Sequence, residues 1–325
     1  MTQETKKQEC LICGKSVANR PVEHGNDYVI YHCAHCQGDF AQTAGRMNYK
    51  EKIYKEGGGV VQDSYNMDSM RSPEEHLADP IRWYIHRLAS SFLGKLPVKG
   101  KLLDVGCGVG TFAKMTKELG FEVYAFDPAE EAIKYARKNF GLERTLAGTI
   151  DDIPTDWQNF DVISAIEVIE HVEAPRDLVS KIYKLLKPGG YIIVSVPNRN
   201  RLGVKLWGAD EWDVPPNHLT RWSKQVLIFF LQDLGFSDVQ IRMDSLNRRS
   251  LSVFLPPKLN RKITGDESKR VLSQGEKEDS SFGASLLWKC VQKMGDGVAF
   301  LLRNIAGDIC NQYLANSLIA VAKKP

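Results

Sequence analysis

From residue 101 to about residue 243 the chain alternates two hydrophobic patterns. Short, mainly apolar stretches at 102–105, 122–126, 144–147, 160–165, 191–196 and 238–243 predict strands. Between them, near 111–119, 128–139, 175–186 and 223–234, apolar side chains recur at helical spacing. Pro128 and Pro175 suit first helical positions, and Gly120, Gly189 and Gly235 suit helix exits. This alternation predicts an α/β fold, a parallel sheet with helices on both faces.

The flanks differ. A helix is expected over 74–94, with Leu77, Ile81, Ile85, Leu88 and Phe92 on one face. The polar, glycine-bearing stretch over 41–73 reads as a linker or a cover for the site, and Tyr49, Tyr54 and Tyr65 in it suit ordinary packing or closure over a ligand. Residues 256–281 are charged and poor in large apolar groups. An amphipathic helical stretch follows over 282–310, with Leu287, Val291, Met294, Val298, Leu301, Ile305 and Ile309 in register, and "SLIAVAKK" reads as a final strand. The expected division is a small module over 1–45, a linker over 46–73, and a large domain over 74–325 with a helical insertion at about 250–312.

Composition narrows the function classes. The 325 residues are 43% apolar, with 43 basic against 40 acidic side chains and a net charge of +3. That balance does not argue for nucleic acid or a membrane surface. The opening "MTQETKKQEC" lacks the apolar run of an export signal, and no apolar stretch approaches the roughly 18–20 residues of a membrane span. Seven cysteines in such a chain point to a reducing, cytoplasmic setting. Cys107, Cys290 and Cys310 read as packing residues.

The other four, Cys10, Cys13, Cys33 and Cys36, form two C-x-x-C pairs separated by 19 residues. Two such knuckles place four thiolates around one zinc ion. Gly14 and Gly38 follow them, where the backbone turns back, and His32 and His35 read as spectators. Some 40 residues bury too little to fold unaided, so the metal would supply the missing stability.

"KLLDVGCGVGTFAK", residues 101–114, reads as strand, glycine corner and helix start. No Lys-Ser/Thr follows its last glycine, so it is not a phosphate-binding Walker loop. Gly106, Gly108 and Gly110 are spaced G-x-G-x-G, not the G-x-G-x-x-G of dinucleotide sites. Asp104, just before them, would repel a pyrophosphate but suits an ammonium group. Asp127, after the next strand, suits the two hydroxyls of a ribose or the cap of the following helix. Ribose, an amino-acid tail and no phosphate describe S-adenosylmethionine.

Two longer stretches, "LLDVGCGVGTFAKMTKELGFEVYAFDPAEEAIKYAR" and "FDVISAIEVIEHVEAPRDLVSKIYKLLKPGGYIIVSVPN", resemble the class I S-adenosylmethionine-dependent methyltransferases, nearest to the ubiquinone-biosynthesis O-methyltransferase branch. The resemblance covers about residues 74–243. It implies a Rossmann-like sheet of seven strands with the last one antiparallel. It also implies that Asp104, Gly106, Gly108 and Gly110 contact the methionine part, that Asp127 takes the ribose, and that the Ile150 backbone or Asp151 meets the adenine.

For the acceptor, "IEVIEHV" places Glu167, Glu170 and His171 at the exit of the fourth strand, and His218 follows the fifth. Loops at neighbouring strand ends should meet above the methyl group. These four side chains suit either a second divalent ion, Mg2+, Mn2+ or Zn2+, or a brace for the loop, with His218 as base or acceptor contact. The same set resembles metal-dependent enzymes that methylate one oxygen of a vicinal diol. Trp207, Trp212 and Trp222 suit an aromatic, isoprenoid or sugar acceptor, or anchor the loop. The near-neutral first 40 residues favour a small-molecule, sugar or lipid-linked acceptor over RNA. The rival readings are an RNA methyltransferase and a non-catalytic zinc-ribbon adaptor. The stripe at 282–310 suits packing on the sheet domain, a second copy in a homodimer, or the inner face of a membrane.

Overall fold

The structure, a computed structural model, describes residues 8–17, 20–43, 84–96, 99–208, 213–243 and 315–325. These fall into two compact units. The second holds, of the described residues, 200–208, Met243 and 315–316, and contains one short helix, α5 (Leu202–Trp207). Everything below belongs to the first unit.

Its centre is a seven-stranded sheet. In chain order the strands are β6 (Lys101–Val105), β7 (Glu122–Asp127), β8 (Thr145–Ala147), β9 (Phe160–Ile166), β10 (Leu186–Pro197), β12 (Ser237–Met243) and β13 (Ser317–Lys323). Their spatial order is β12-β13-β10-β9-β6-β7-β8. The pairs β6–β7, β6–β9, β7–β8 and β9–β10 are parallel, while β13 runs antiparallel to β10, so the expected antiparallel last strand is present. The chain moves one way from β6 to β7 and β8, then returns to the other side of β6 with β9. That reversal is the switch point at which open α/β sheets bind ligands.

The helices follow from local chemistry. They are α1 (Tyr84–Leu93), α2 (Thr111–Glu118), α3 (Glu130–Phe140), α4 (Pro175–Leu185) and α6 (Lys224–Asp233). Glu130 and Glu131 open α3 while Arg137 and Lys138 close it, both favourable to the helix dipole. Ser223 caps α6, its hydroxyl accepting from the Val226 amide at 3.4 Å. Leu102, Phe112, Ala113, Ala125, Ala136, Val162 and Ile193 form the core on one face of the sheet, with Ala89 and Leu93 of α1. The predicted stripe Ile85, Leu88 and Phe92 lies at the edge of that cluster.

Two local expectations are corrected. Pro128 does not begin a helix: α3 starts at Glu130 with Ala129 as its cap, because Asp127 first binds the Ala129 amide. Gly189 does not end one either. It lies within β10, where the register with β9 shifts between Leu186 and Tyr191. The expected helix over 74–94 is seen as Tyr84–Leu93, and its first part, with Leu77 and Ile81, lies outside the described residues. So do the linker with its tyrosines, Trp212, and the stretch at 282–310 with Cys290 and Cys310. Among the described residues no helix is long and apolar enough to cross a membrane.

The N-terminal module has β1 (Gln8–Glu9) paired with β2 (Ser16–Val17), and a sheet of β3 (Arg20–His24), β4 (Tyr28–His32) and β5 (Asp39–Thr43). That sheet gains a fourth strand from far along the chain: β11 (Thr220–Arg221) pairs antiparallel with β5, setting Thr220 opposite Phe40 and Arg221 opposite Asp39. The module therefore shares its sheet with the loop that carries His218.

Candidate active site

The four cysteines converge. Cys10 Sγ is 3.7 Å from Cys36 Sγ, Cys13 Sγ is 3.7 Å from Cys33 Sγ, and all four sulfurs lie within 4.8 Å of one another. A tetrahedron with zinc–sulfur bonds of about 2.3 Å has edges of roughly 3.8 Å, so the four thiols fit zinc. Without a metal the arrangement disfavours thiolates: burial pushes Cys13 up to about 12, and the hydrogen bond from Cys36, then burial, push Cys10 higher still. His32 and His35 have other partners. His32 Nδ1 is 2.7 Å from Asp39 Oδ1, and the His35 ring packs edge-on against Phe229.

At the end of β6 the chain turns through Gly106 and on to Gly110, both with positive φ (63° and 84°), a region that glycine alone enters without strain. A Cβ on Gly106 would meet Val168 Cγ2 at 2.8 Å, so the loop after β9 sits directly on the glycine turn. A Cβ on Gly110 would meet Leu142 Cδ1 at 2.7 Å and Ala136 Cβ at 2.9 Å. Gly110, expected as a cofactor contact, thus also lets α2 pack closely against the α3 region. The Gly108 amide donates to Asp127 Oδ2 and the Ala129 amide donates to Asp127 Oδ1, both at 2.8 Å. The carboxylate of Asp127 thereby ties the glycine turn to the start of α3. Each oxygen keeps a second lone pair, which is what a ribose diol requires.

Asp104 is buried in the sheet. Its Oδ1 accepts from Ser164 Oγ at 2.8 Å, while Oδ2 is buried without a hydrogen-bond partner. Burial raises its pKa to about 7, the Ser164 hydroxyl opposes this, and the Asp127 charge adds to it. An unsatisfied buried carboxylate oxygen fits a ligand that brings a cation or a donor. Cys107 is a filler: burial, then Asp104 and Asp127, hold its thiol well above the usual range. On the adenine side, Asp151 is paired with Lys181 Nζ at 2.6 Å, and Asp152 accepts from both the Thr149 amide and hydroxyl. That leaves the Ile150 backbone as the freer of the two expected contacts.

The acceptor side is built at the exits of β9 and β10. Glu170, His171 and His218 present one ligand atom each, all within 4.8 Å of one another. The two imidazole rings are 4.8 Å apart, and His171 Nε2 lies 3.7 Å from Glu170 Oε1. His171 Nδ1 lies 2.7 Å from the Asn217 carbonyl. A carbonyl only accepts, so Nδ1 carries the proton and Nε2 keeps its lone pair. Burial, then the neighbouring His218, lower the His171 pKa to about 3, which keeps it neutral. His218 Nδ1 is 3.4 Å from Asp213 Oδ1. Glu170 is fully buried, and neither of its oxygens has a hydrogen-bond partner. Burial, then the charges of Glu167 and Asp213, drive its pKa upward. Two imidazoles, each with one ring nitrogen near an acceptor, beside a carboxyl group lacking hydrogen-bond partners, fit a divalent ion.

Glu167, the fourth residue of the expected set, is not among those three grouped ligand atoms. Its Oε1 accepts from Ser195 Oγ at 2.8 Å, and its φ is 55°. Sequence reasoning missed Ser195, Ser164 and Asp213. Buried strand serines carry no motif, and Asp213 has only its place in "WDVPPNH", five residues before His218, to mark it. Of the tryptophans, Trp222 is fully buried and its Nε1 donates to Thr220 Oγ1 at 2.9 Å, so it anchors the loop.

A family described as "Methyltransferase domain" matches residues 73–241. The ubiquinone biosynthesis O-methyltransferase of Proteus mirabilis (strain HI4320) is 34% identical over 138 residues, 41% of this chain and 53% of that protein. The enzyme of that name from Roseobacter denitrificans (strain ATCC 33942 / OCh 114) is 32% identical over 206 residues, 58% of this chain and 81% of that protein. The chain spans about half the length of several such relatives, the Proteus one included. Among solved structures, phosphoethanolamine N-methyltransferase 2 of Haemonchus contortus in complex with S-adenosyl-L-methionine aligns with TM-score 0.52 at 16% identity, covering 94% of this chain and 71% of that one. A likeness at that identity speaks to the fold alone.

Proposed function

The chain belongs to the methyltransferase-domain family, and on that premise we propose that it moves a methyl group from S-adenosylmethionine to a hydroxyl of a small-molecule acceptor, sugar-borne and lipid-linked ones included. The observation that carries this reading is the joining of two ends at one switch point. The glycine turn after β6 is packed under Val168, and Val168 belongs to the same loop as Glu170 and His171.

When bound, S-adenosylmethionine supplies an electrophilic methyl on a cationic sulfur, so alignment and exclusion of water matter more than an anion hole. Asp104 Oδ2 holds the ammonium end. Asp127 holds the ribose hydroxyls with the lone pairs that Gly108 and Ala129 leave free. The Ile150 backbone borders the adenine. Relatives named ubiquinone biosynthesis O-methyltransferase support oxygen as the methylated atom.

At the acceptor end Glu170, His171 and His218 hold a divalent ion, which would lower the pKa of a bound hydroxyl. Two nitrogen donors and one carboxylate suit Mn2+ or Zn2+ better than Mg2+, which prefers oxygen ligands. The Asn217 carbonyl and Asp213 orient the two rings. The four N-terminal cysteines hold a structural zinc.

The test is calorimetric binding of S-adenosylhomocysteine, followed by transfer of labelled methyl from S-adenosylmethionine to a catechol and to a phenol. Binding in the micromolar range, lost in Asp127→Ala, and a Mn2+-dependent preference for the catechol are expected. No uptake by folded protein at millimolar ligand would sink the reading.

A further inference from the structure

We infer that the zinc ribbon is the positioning element of the acceptor end: its strand β5 sets the place of His218 and Glu170. The inference rests on the acceptor-site reading above. A short hydrogen-bonded path joins the two. The Ala41 amide of β5 donates to the Leu219 carbonyl at 2.8 Å. The Leu219 amide, next in the chain to His218, donates to the Glu170 carbonyl at 2.7 Å, and the Thr220 amide donates to the same carbonyl at 3.3 Å.

Side chains tie both cysteine knuckles to the same neighbourhood. Arg199 Nη1, just beyond β10, donates to the Gln37 carbonyl at 3.1 Å and lies 2.9 Å from Asp39 Oδ1. Gln37 directly follows Cys36. Arg176 Nη1, in the first turn of α4, donates to the carbonyl of Ile12, between Cys10 and Cys13, at 3.3 Å. Arg221 bridges the ribbon's Glu23 Oε2, at 2.8 Å through Nη1, to the Asp213 carbonyl, at 3.0 Å through Nε.

The physical reason is that β11 has only two residues and, among the named strands, pairs with β5 alone. Ligand groups work only when fixed within about 0.5 Å by what surrounds them. A strand anchored by four metal-bound sulfurs supplies that fixity, and Ala41 and Arg199 are the positioning residues through which it acts.

The experiment uses the full chain with its zinc retained and Mn2+ alone as probe, the free ion being followed by electron paramagnetic resonance. Ala41→Gly keeps the amide and should bind Mn2+ as the wild type does. Ala41→Pro removes the donor and should weaken Mn2+ at least tenfold, with one zinc per chain and wild-type S-adenosylhomocysteine affinity preserved. Arg199→Met should shift Mn2+ affinity in the same direction, and decides the matter if Ala41→Pro folds poorly. If the wild type binds Mn2+ and the folded variants bind it equally well, this inference fails alone. If the wild type takes up no Mn2+, it fails together with the acceptor-site reading, while S-adenosylhomocysteine binding still reports on the cofactor end.

Discussion

Ser195 Oγ accepts a hydrogen bond from the Glu167 amide at 3.0 Å and donates one to Glu167 Oε1 at 2.8 Å. One buried hydroxyl thus grips both ends of a residue whose φ is 55°. A non-glycine residue there stores about 1–3 kcal/mol and persists only where its surroundings insist. Ser195→Ala removes both hydroxyl bonds but keeps the Glu167 amide's bond to the Ser195 carbonyl at 3.1 Å, with an expected loss of about 1–2 kcal/mol in denaturant unfolding and a slower methyl transfer. Wild-type stability together with a wild-type transfer rate would refute the clamp.

If Asp104 meets the ammonium group of the cofactor as proposed, cofactor binding should depend on pH. Its carboxyl, with a pKa of about 7 in the folded protein, keeps its proton well above the range in which the unfolded chain releases it. Between those limits the folded state binds more protons, so this residue makes the ligand-free protein less stable as pH rises from about 4 towards 7. Asp104→Asn should flatten that slope. A cationic ligand selects the ionised form, so S-adenosylhomocysteine should bind more tightly as pH rises to about 7 and release a proton at pH 6. Calorimetry in two buffers of different ionisation enthalpy measures that proton, and its absence would remove Asp104 from the ammonium site.

The cysteine cluster predicts one zinc per chain by elemental analysis. Structural zinc sites bind with about 10–16 kcal/mol, so Cys10→Ser or a strong chelator should melt the ribbon first. Differential scanning calorimetry should then show a lowered or split transition. Protein that carries no zinc and ignores the chelator would contradict the assignment.

Two glycines should respond unequally to alanine. Gly110→Ala adds a Cβ within 3 Å of both Leu142 and Ala136, whereas at Gly120 the nearest atom is the flexible Lys99 stem at 3.8 Å. Both lie at positive φ, 84° and 91°, so both pay the backbone strain of about 1 kcal/mol. Only Gly110→Ala adds overpacking, about 1–3 kcal/mol more. Equal shifts in melting temperature would show that α2 and the α3 region yield at no cost.

Most of the sheet was legible in advance because its central strands are largely buried and so read as short, mainly apolar stretches. The predicted run at 160–165 is the observed Phe160–Ile166, and "SLIAVAKK" is β13. The glycine corner and the carboxylates beside it were legible for a related reason. These glycines and carboxylates lie within a few residues of strand ends, where local spacing carries the information. The two misread positions, Pro128 and Gly189, show the limit. Each is a residue with an ordinary helical use that a tertiary partner redirected, Asp127 in one case and the strands beside β10 in the other.

The sequence by itself determined the alternation of strands and helices, the two C-x-x-C pairs and the glycine corner. All of these depend on chemistry within about 30 residues of chain. Only the tertiary structure decided that Glu167 is bound by Ser195 while Glu170, His171 and His218 converge, and that the ribbon takes Thr220 and Arg221 as its own strand. Those contacts join segments that lie from 28 to about 180 residues apart. No periodicity encodes such a meeting; it arises when the apolar faces of the sheet and helices are buried together and the remaining polar groups must find partners.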